Sequence, residues 1–85
     1  MAIERSVLAA IRKKTDRQLG LAFVPDVVRN LPRPAETKKV LVELAQAGKV
    51  ELRPDGGLGR FKQVELDNAP DGPQGSKLMW ARLLP

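Results

Sequence analysis

The chain has 85 residues, 42% of them hydrophobic and 29% charged, which is the composition of one ordinary folded domain. Lys and Arg number 15 against 10 Asp and Glu, a net charge of +5 that favours polyanionic partners such as nucleic acid. There is no Cys and no His, so disulfides, thiolate metal sites, cysteine nucleophiles and histidine general bases are all excluded. No apolar run approaches the ~20 residues of a membrane span, and Met1-Ala2-Ile3-Glu4-Arg5 lacks the apolar core of a secretory signal. A cytoplasmic protein without a membrane partner is the expectation.

In chain order, Ile3, Val7, Leu8, Ile11 and Leu19 recur at helical spacing, with Arg5, Ala9, Arg12, Lys13, Asp16 and Arg17 on the opposite side. The spacing predicts an amphipathic helix over 3–19, closed by Gly20. Leu21-Ala22-Phe23-Val24 is too short for a helix and reads as an extended segment. Pro25 then opens a short second helix, 25–31, with Val27, Val28 and Leu31 as buried candidates.

Pro32-Arg33-Pro34 cannot lie within a continuous helix, because each Pro removes a donor and Arg33 is pushed away from helical angles. Pro34 starts a third helix, 34–47, whose Thr37, Val40, Leu41, Leu44 and Ala47 share one face, and Gly48 ends it. Two helices separated by so short a turn form a helix-turn-helix unit.

Lys49-Val50-Glu51-Leu52-Arg53 alternates polar and apolar residues as a half-buried strand does, and Pro54-Asp55-Gly56-Gly57 is turn chemistry. From Leu58 to Ser76 periodicity is lost. Phe61, Val64 and Leu66 could pin this segment down through one helical turn or a short extra strand. Asn68 to Gly75 is a second turn cluster, and Lys77–Leu84 reads as a mostly buried closing strand.

The order helix, short strand, helix, turn, helix, strand, long loop, strand resembles that of the winged helix-turn-helix superfamily, an α+β fold of three helices and a small antiparallel sheet with a wing. The phrase Lys39-Val40-Leu41-Val42-Glu43-Leu44-Ala45-Gln46-Ala47-Gly48-Lys49-Val50-Glu51-Leu52-Arg53-Pro54-Asp55 is similar to a recognition helix running into the first wing strand. Ala69 to Gly75 followed by Leu78–Leu83 resembles the turn and return strand of a wing. Such phrases are found throughout bacterial winged helix regulators, so a bacterial or phage-like transcription regulator is the expectation. The stretch between the expected strands, residues 54–76, is longer than that of a compact wing.

The resemblance implies duplex DNA as partner, with the third helix in the major groove. Ala35, Lys38, Lys39, Val42 and Gln46 would face outward: the lysines toward phosphate or guanine, Gln46 toward adenine, and Val42 toward a thymine methyl group. A solvated helix face is the alternative reading of the same residues, with DNA contact favoured. Glu36 and Glu43 flank the face. Arg33, beside free N–H groups in the turn, could bind a phosphate or merely fill the break between two prolines. Arg53, Arg60 and Lys62 belong to the first half of the wing, while Glu65, Asp67 and Asp71 make its second half unsuited to DNA.

The basic outer face of the first helix reads as a solvated surface. That helix, with the closing strand, is the candidate interface of a homodimer. Trp80 reads as core packing or, alternatively, as a stacking or partner-anchoring residue.

No cofactor is implied, and no catalytic arrangement can be argued. Asp16, Asp26, Asp55, Asp67 and Asp71 are scattered through turns and helix ends. Gly56-Gly57-x-Gly59 lacks the Gly-Lys-Ser/Thr ending of a phosphate loop. Besides DNA binding, two readings stay open: a protein-interaction module in a larger assembly, and RNA binding.

Overall fold

The computed structural model describes residues 2–85. Its elements are α1 (Ala2–Lys14), β1 (Ala22–Phe23), α2 (Val24–Arg29), α3 (Pro34–Gln46), β2 (Val50–Asp55), α4 (Gln63–Asp67) and β3 (Lys77–Leu83), with single 3-10 turns at Leu58–Arg60 and Pro73–Gly75. The fold is α+β, with four α-helices and a three-stranded antiparallel sheet ordered β1-β3-β2 among the described residues. No helix among them is long and apolar enough to cross a membrane.

The first helix stops at Lys14, short of the expected Leu19. Local hydrogen bonding ends it. Thr15 Oγ1 donates to the Ile11 carbonyl at 2.6 Å, and Asp16 Oδ1 accepts the backbone N–H groups of Gln18 and Leu19 at 2.8 and 3.0 Å. An aspartate that satisfies the following amides offers the chain a turn in place of a helix. Gly20, at φ +69°, completes that turn and does not cap the helix. Leu19 consequently lies outside the core, 63% exposed.

Pro25 occupies the first turn of α2, whose Val24, Pro25, Val27 and Val28 are buried. The helix ends at Arg29, so Leu31 sits half-buried in the turn. Pro34 starts α3 as expected, and Thr37, Val40, Leu41 and Leu44 form its buried face. Ala47 is exposed, because the helix closes in a Schellman motif. The Lys49 N–H reaches the Leu44 carbonyl and the Gly48 N–H the Ala45 carbonyl, with Gly48 at φ +76°.

The core is the set of side chains these elements share: Val7 and Ile11 of α1, the α2 valines, Leu41 and Leu44 of α3, and Val50, Met79 and Ala81 of the sheet. The closing strand is less buried than its composition suggests, since only Met79 and Ala81 are fully enclosed. Strand alternation explains this: Ala22, Ala81 and Leu52 are aligned across the sheet, and so are Phe23, Trp80 and Arg53 on its other face. On that outer face Phe23 stacks on Phe61 at 5.8 Å and against Trp80 at 5.1 Å. Cross-strand aromatic contact of this kind favours the observed register.

The long segment between β2 and β3 is folded onto the body of the molecule. Phe61 anchors its first half to the sheet. Its second half contains the helical turn α4, which packs against α2, and buries Ala69 and Pro70.

Candidate nucleic-acid interface

Ala35, Lys38, Lys39, Val42 and Gln46 all lie on α3, at spacings that keep them away from the buried Thr37, Val40, Leu41 and Leu44. Ala35, Lys39 and Gln46 are exposed; Lys38 and Val42 are half-buried. Lys39 has no acidic partner among the described residues.

Its neighbour Lys38 is engaged. Its Nζ donates to the Asp67 carbonyl at 2.8 Å, at the C-terminal end of α4, where an ammonium suits the free carbonyls of a helix end. The hydrogen bond and charge of Lys77 hold the Asp71 carboxyl below the ordinary aspartate value, with a smaller contribution from the Lys38 charge. Lys77 Nζ lies 2.8 Å from Asp71 Oδ1 and also donates to the Ala69 carbonyl. Lys38 therefore fastens the segment after β2 to α3.

The other expected contacts are similarly drawn inward. Arg33 Nη1 donates to Glu36 Oε2 at 3.2 Å across one turn, so the guanidinium beside the start of α3 and the acid flanking its face meet each other. Arg53 Nε and Arg82 Nε converge on Glu51 Oε1 at 3.2 and 3.0 Å. Partial desolvation would raise the Glu51 carboxyl, but the two guanidiniums outweigh it and hold the group below its ordinary value.

Arg60 pairs with Asp55 and lies 5.1 Å over the Phe61 ring. Asp55 also accepts the Gly57 N–H at 2.8 Å and the Trp80 indole N–H at 3.4 Å. Chiefly through the Gly57 N–H, and despite partial desolvation, its carboxyl is held below the ordinary range. Lys62, at the start of α4, is exposed: its backbone N–H donates to Glu65 Oε1 at 2.8 Å, and its ammonium has no acidic partner among the described residues.

The structure thus gathers the α3 residues on one face and sets Arg53 and Arg60 apart, around the aromatic cluster of the sheet. The side chains of Arg33, Lys38, Arg53 and Arg60 satisfy internal acceptors, whereas the ammonium groups of Lys39 and Lys62 do not among the described residues. Sequence reasoning missed the Lys38–Asp67 contact, which spans 29 residues of chain and has no local pattern. The basic outer face expected of the first helix is exposed: Arg5, Arg12 and Lys13, with Lys14 beside them and Arg17 just after α1, have no acidic partner among the described residues.

Compared with family models, curated proteins and solved structures, the chain matches none of them.

Proposed function

We propose that this chain is a winged helix-turn-helix domain that binds duplex DNA, with α3 as the helix presented to the major groove. The layout supports the reading: α2 and α3 are separated by a tight proline-bounded turn, and the antiparallel strands β2 and β3 follow. β1, between the first two helices, pairs with β3 to give the order β1-β3-β2. The observation that carries the proposal is the outward row Ala35, Lys39, Val42 and Gln46, which combines a free cation, an apolar contact and an amide on one helix face. Those are the side-chain types that meet phosphate, a thymine methyl group and adenine. The Arg33–Glu36 pair moderates the repulsion that Glu36 alone would exert on phosphate. A single copy offers few base contacts, so sequence-specific binding would use two copies on a two-fold related site.

The second reading, a winged helix protein-interaction module, is favoured by one observation. Arg33, Lys38, Arg53 and Arg60 already satisfy acceptors within the chain, which weakens the field available to phosphate. A salt titration of affinity for random-sequence duplex DNA separates the two. DNA binding gives a log–log slope of about −0.9 for each phosphate contact. No measurable affinity at ~50 mM salt, where phosphate contacts are strong, favours the interaction module.

A further inference from the structure

The unpaired positive charge of this molecule is concentrated on the solvent side of α1 and the turn after it. Arg12 points away from the core that α1 shares with α3, and Val7 and Ile11, on the other side of α1, are fully buried. A cleft beside Arg12 is lined by Thr15, Arg17, Gly20, Arg82 and Leu83. A second cleft shares Arg12 and Leu83 with the first and adds Lys49 and the chain beyond β3. Together they form a trough centred on Arg12, with Arg17 and Arg82 toward one end and Lys49 toward the other.

Among the described residues, no Asp or Glu side chain lines either cleft. The acids near it are committed elsewhere: Asp16 Oδ1 to the Gln18 and Leu19 amides, and Glu51 to Arg53 as well as Arg82. Glu4 meets Lys49 only at 3.8 Å. A concave surface lined by three arginines and no acidic side chain focuses a positive potential. Guanidinium geometry suits the paired oxygens of a phosphate.

We propose that this trough is a phosphodiester site that takes the sugar–phosphate backbone of a nucleic acid duplex, with none of the outward residues of α3 in its lining. Arg12 and Arg17 supply the free charges, and Arg82 and Lys49 exchange weak, solvent-exposed ion pairs for phosphate. The same charges oppose self-association through this face, because a second copy would bring Arg12 and Arg17 against their equivalents. The site stands independently of the α3 reading.

The test is a backbone amide NMR titration of the full chain with a short random-sequence duplex, for the wild type and for Arg12→Gln/Arg17→Gln. Both arginines are exposed, and Arg17→Gln alone, outside α1, serves if the double variant folds poorly. Salt-sensitive shifts at Arg12, Arg17, Gly20 and Leu83 are expected. The double variant should lose them and flatten the salt slope by about 1.8, the value for two phosphate contacts. Shifts that spare residues 12–20 and Leu83, or a variant with unchanged affinity and slope, would overturn the proposal. Shifts in the trough with none at Lys39, Val42 and Gln46 would uphold it while removing α3 as the groove helix.

Discussion

The Lys38 ammonium and the Asp67 carbonyl meet at 2.8 Å, joining α3 to the end of α4 across 29 residues of chain. The contact turns the segment between β2 and β3 from a free wing into a strap across the helical body. Lys38→Met keeps the aliphatic stem and removes the donor. Because the bond is solvent-exposed, global stability should fall by no more than ~1 kcal/mol. Amide exchange at the end of α4 and just beyond it, at Leu66, Asn68 and Ala69, should quicken more than exchange at Leu41 or Leu44. Equal acceleration in both helices would mean that Lys38 does not hold α4.

Leu44 is 1% exposed and lies where α3 faces the core shared with the other helices and the sheet. Leu44→Ala should cost roughly 2–5 kcal/mol, the range for emptying a buried leucine site. In a domain this small, that loss unfolds much of the population. Thermal denaturation checks it; a melting point lowered by only a degree would place Leu44 outside the core.

Thr37 is fully buried, and its Oγ1 has no hydrogen-bond partner among the described residues. An unpaired buried hydroxyl costs about 1–3 kcal/mol, and valine has nearly the same shape. Thr37→Val should raise stability in urea denaturation by about 1 kcal/mol. A clear loss of stability would show that the hydroxyl is used.

The Asp55 carboxylate ties together the Gly57 amide, the Trp80 indole and Arg60. Its folded-state pKa is depressed, so its stabilising contribution is present above the ordinary aspartate value of 3.8 and is lost as pH falls through the lower folded value. Trp80 is the chain's only tryptophan and touches the carboxylate directly, so its fluorescence reports the change. The emission should show an inflection below pH 3.8 that Asp55→Asn removes. An inflection at or above 3.8, or one that survives the substitution, would contradict the assignment.

Much of the helical architecture was legible because it rests on local rules. Pro25 lies in the first turn of α2, which begins one residue earlier at Val24, Pro34 starts α3, and Gly48 stands where its left-handed conformation closes α3. The periodicity of Thr37, Val40, Leu41 and Leu44 marked the buried face. Leu19 was misplaced because the Asp16 side chain competes with the helix for the same amides, a balance that apolar spacing does not register. Strap formation was illegible for another reason: Phe61 finds Phe23, and Lys38 finds Asp67, only after distant parts of the chain are packed together. Within the candidate interface the sequence pattern placed Lys38 and Lys39 on an outward face, yet only tertiary contact distinguishes the engaged lysine from the free one.

That difference gives the most direct test of DNA binding through α3. Lys38→Met and Lys39→Met remove the same charge from adjacent positions of one helix, and affinity for a random-sequence duplex is measured from ~50 to ~200 mM salt. Lys39→Met should weaken binding about tenfold at low salt and flatten the log–log slope by about 0.9, the value for one phosphate contact. Lys38→Met, whose ammonium is already held by Asp67, should stay within about twofold of the wild type. Equal losses from the two variants would mean that binding follows net charge and needs no groove-facing helix. No binding by the wild type at ~50 mM salt would contradict the DNA reading outright.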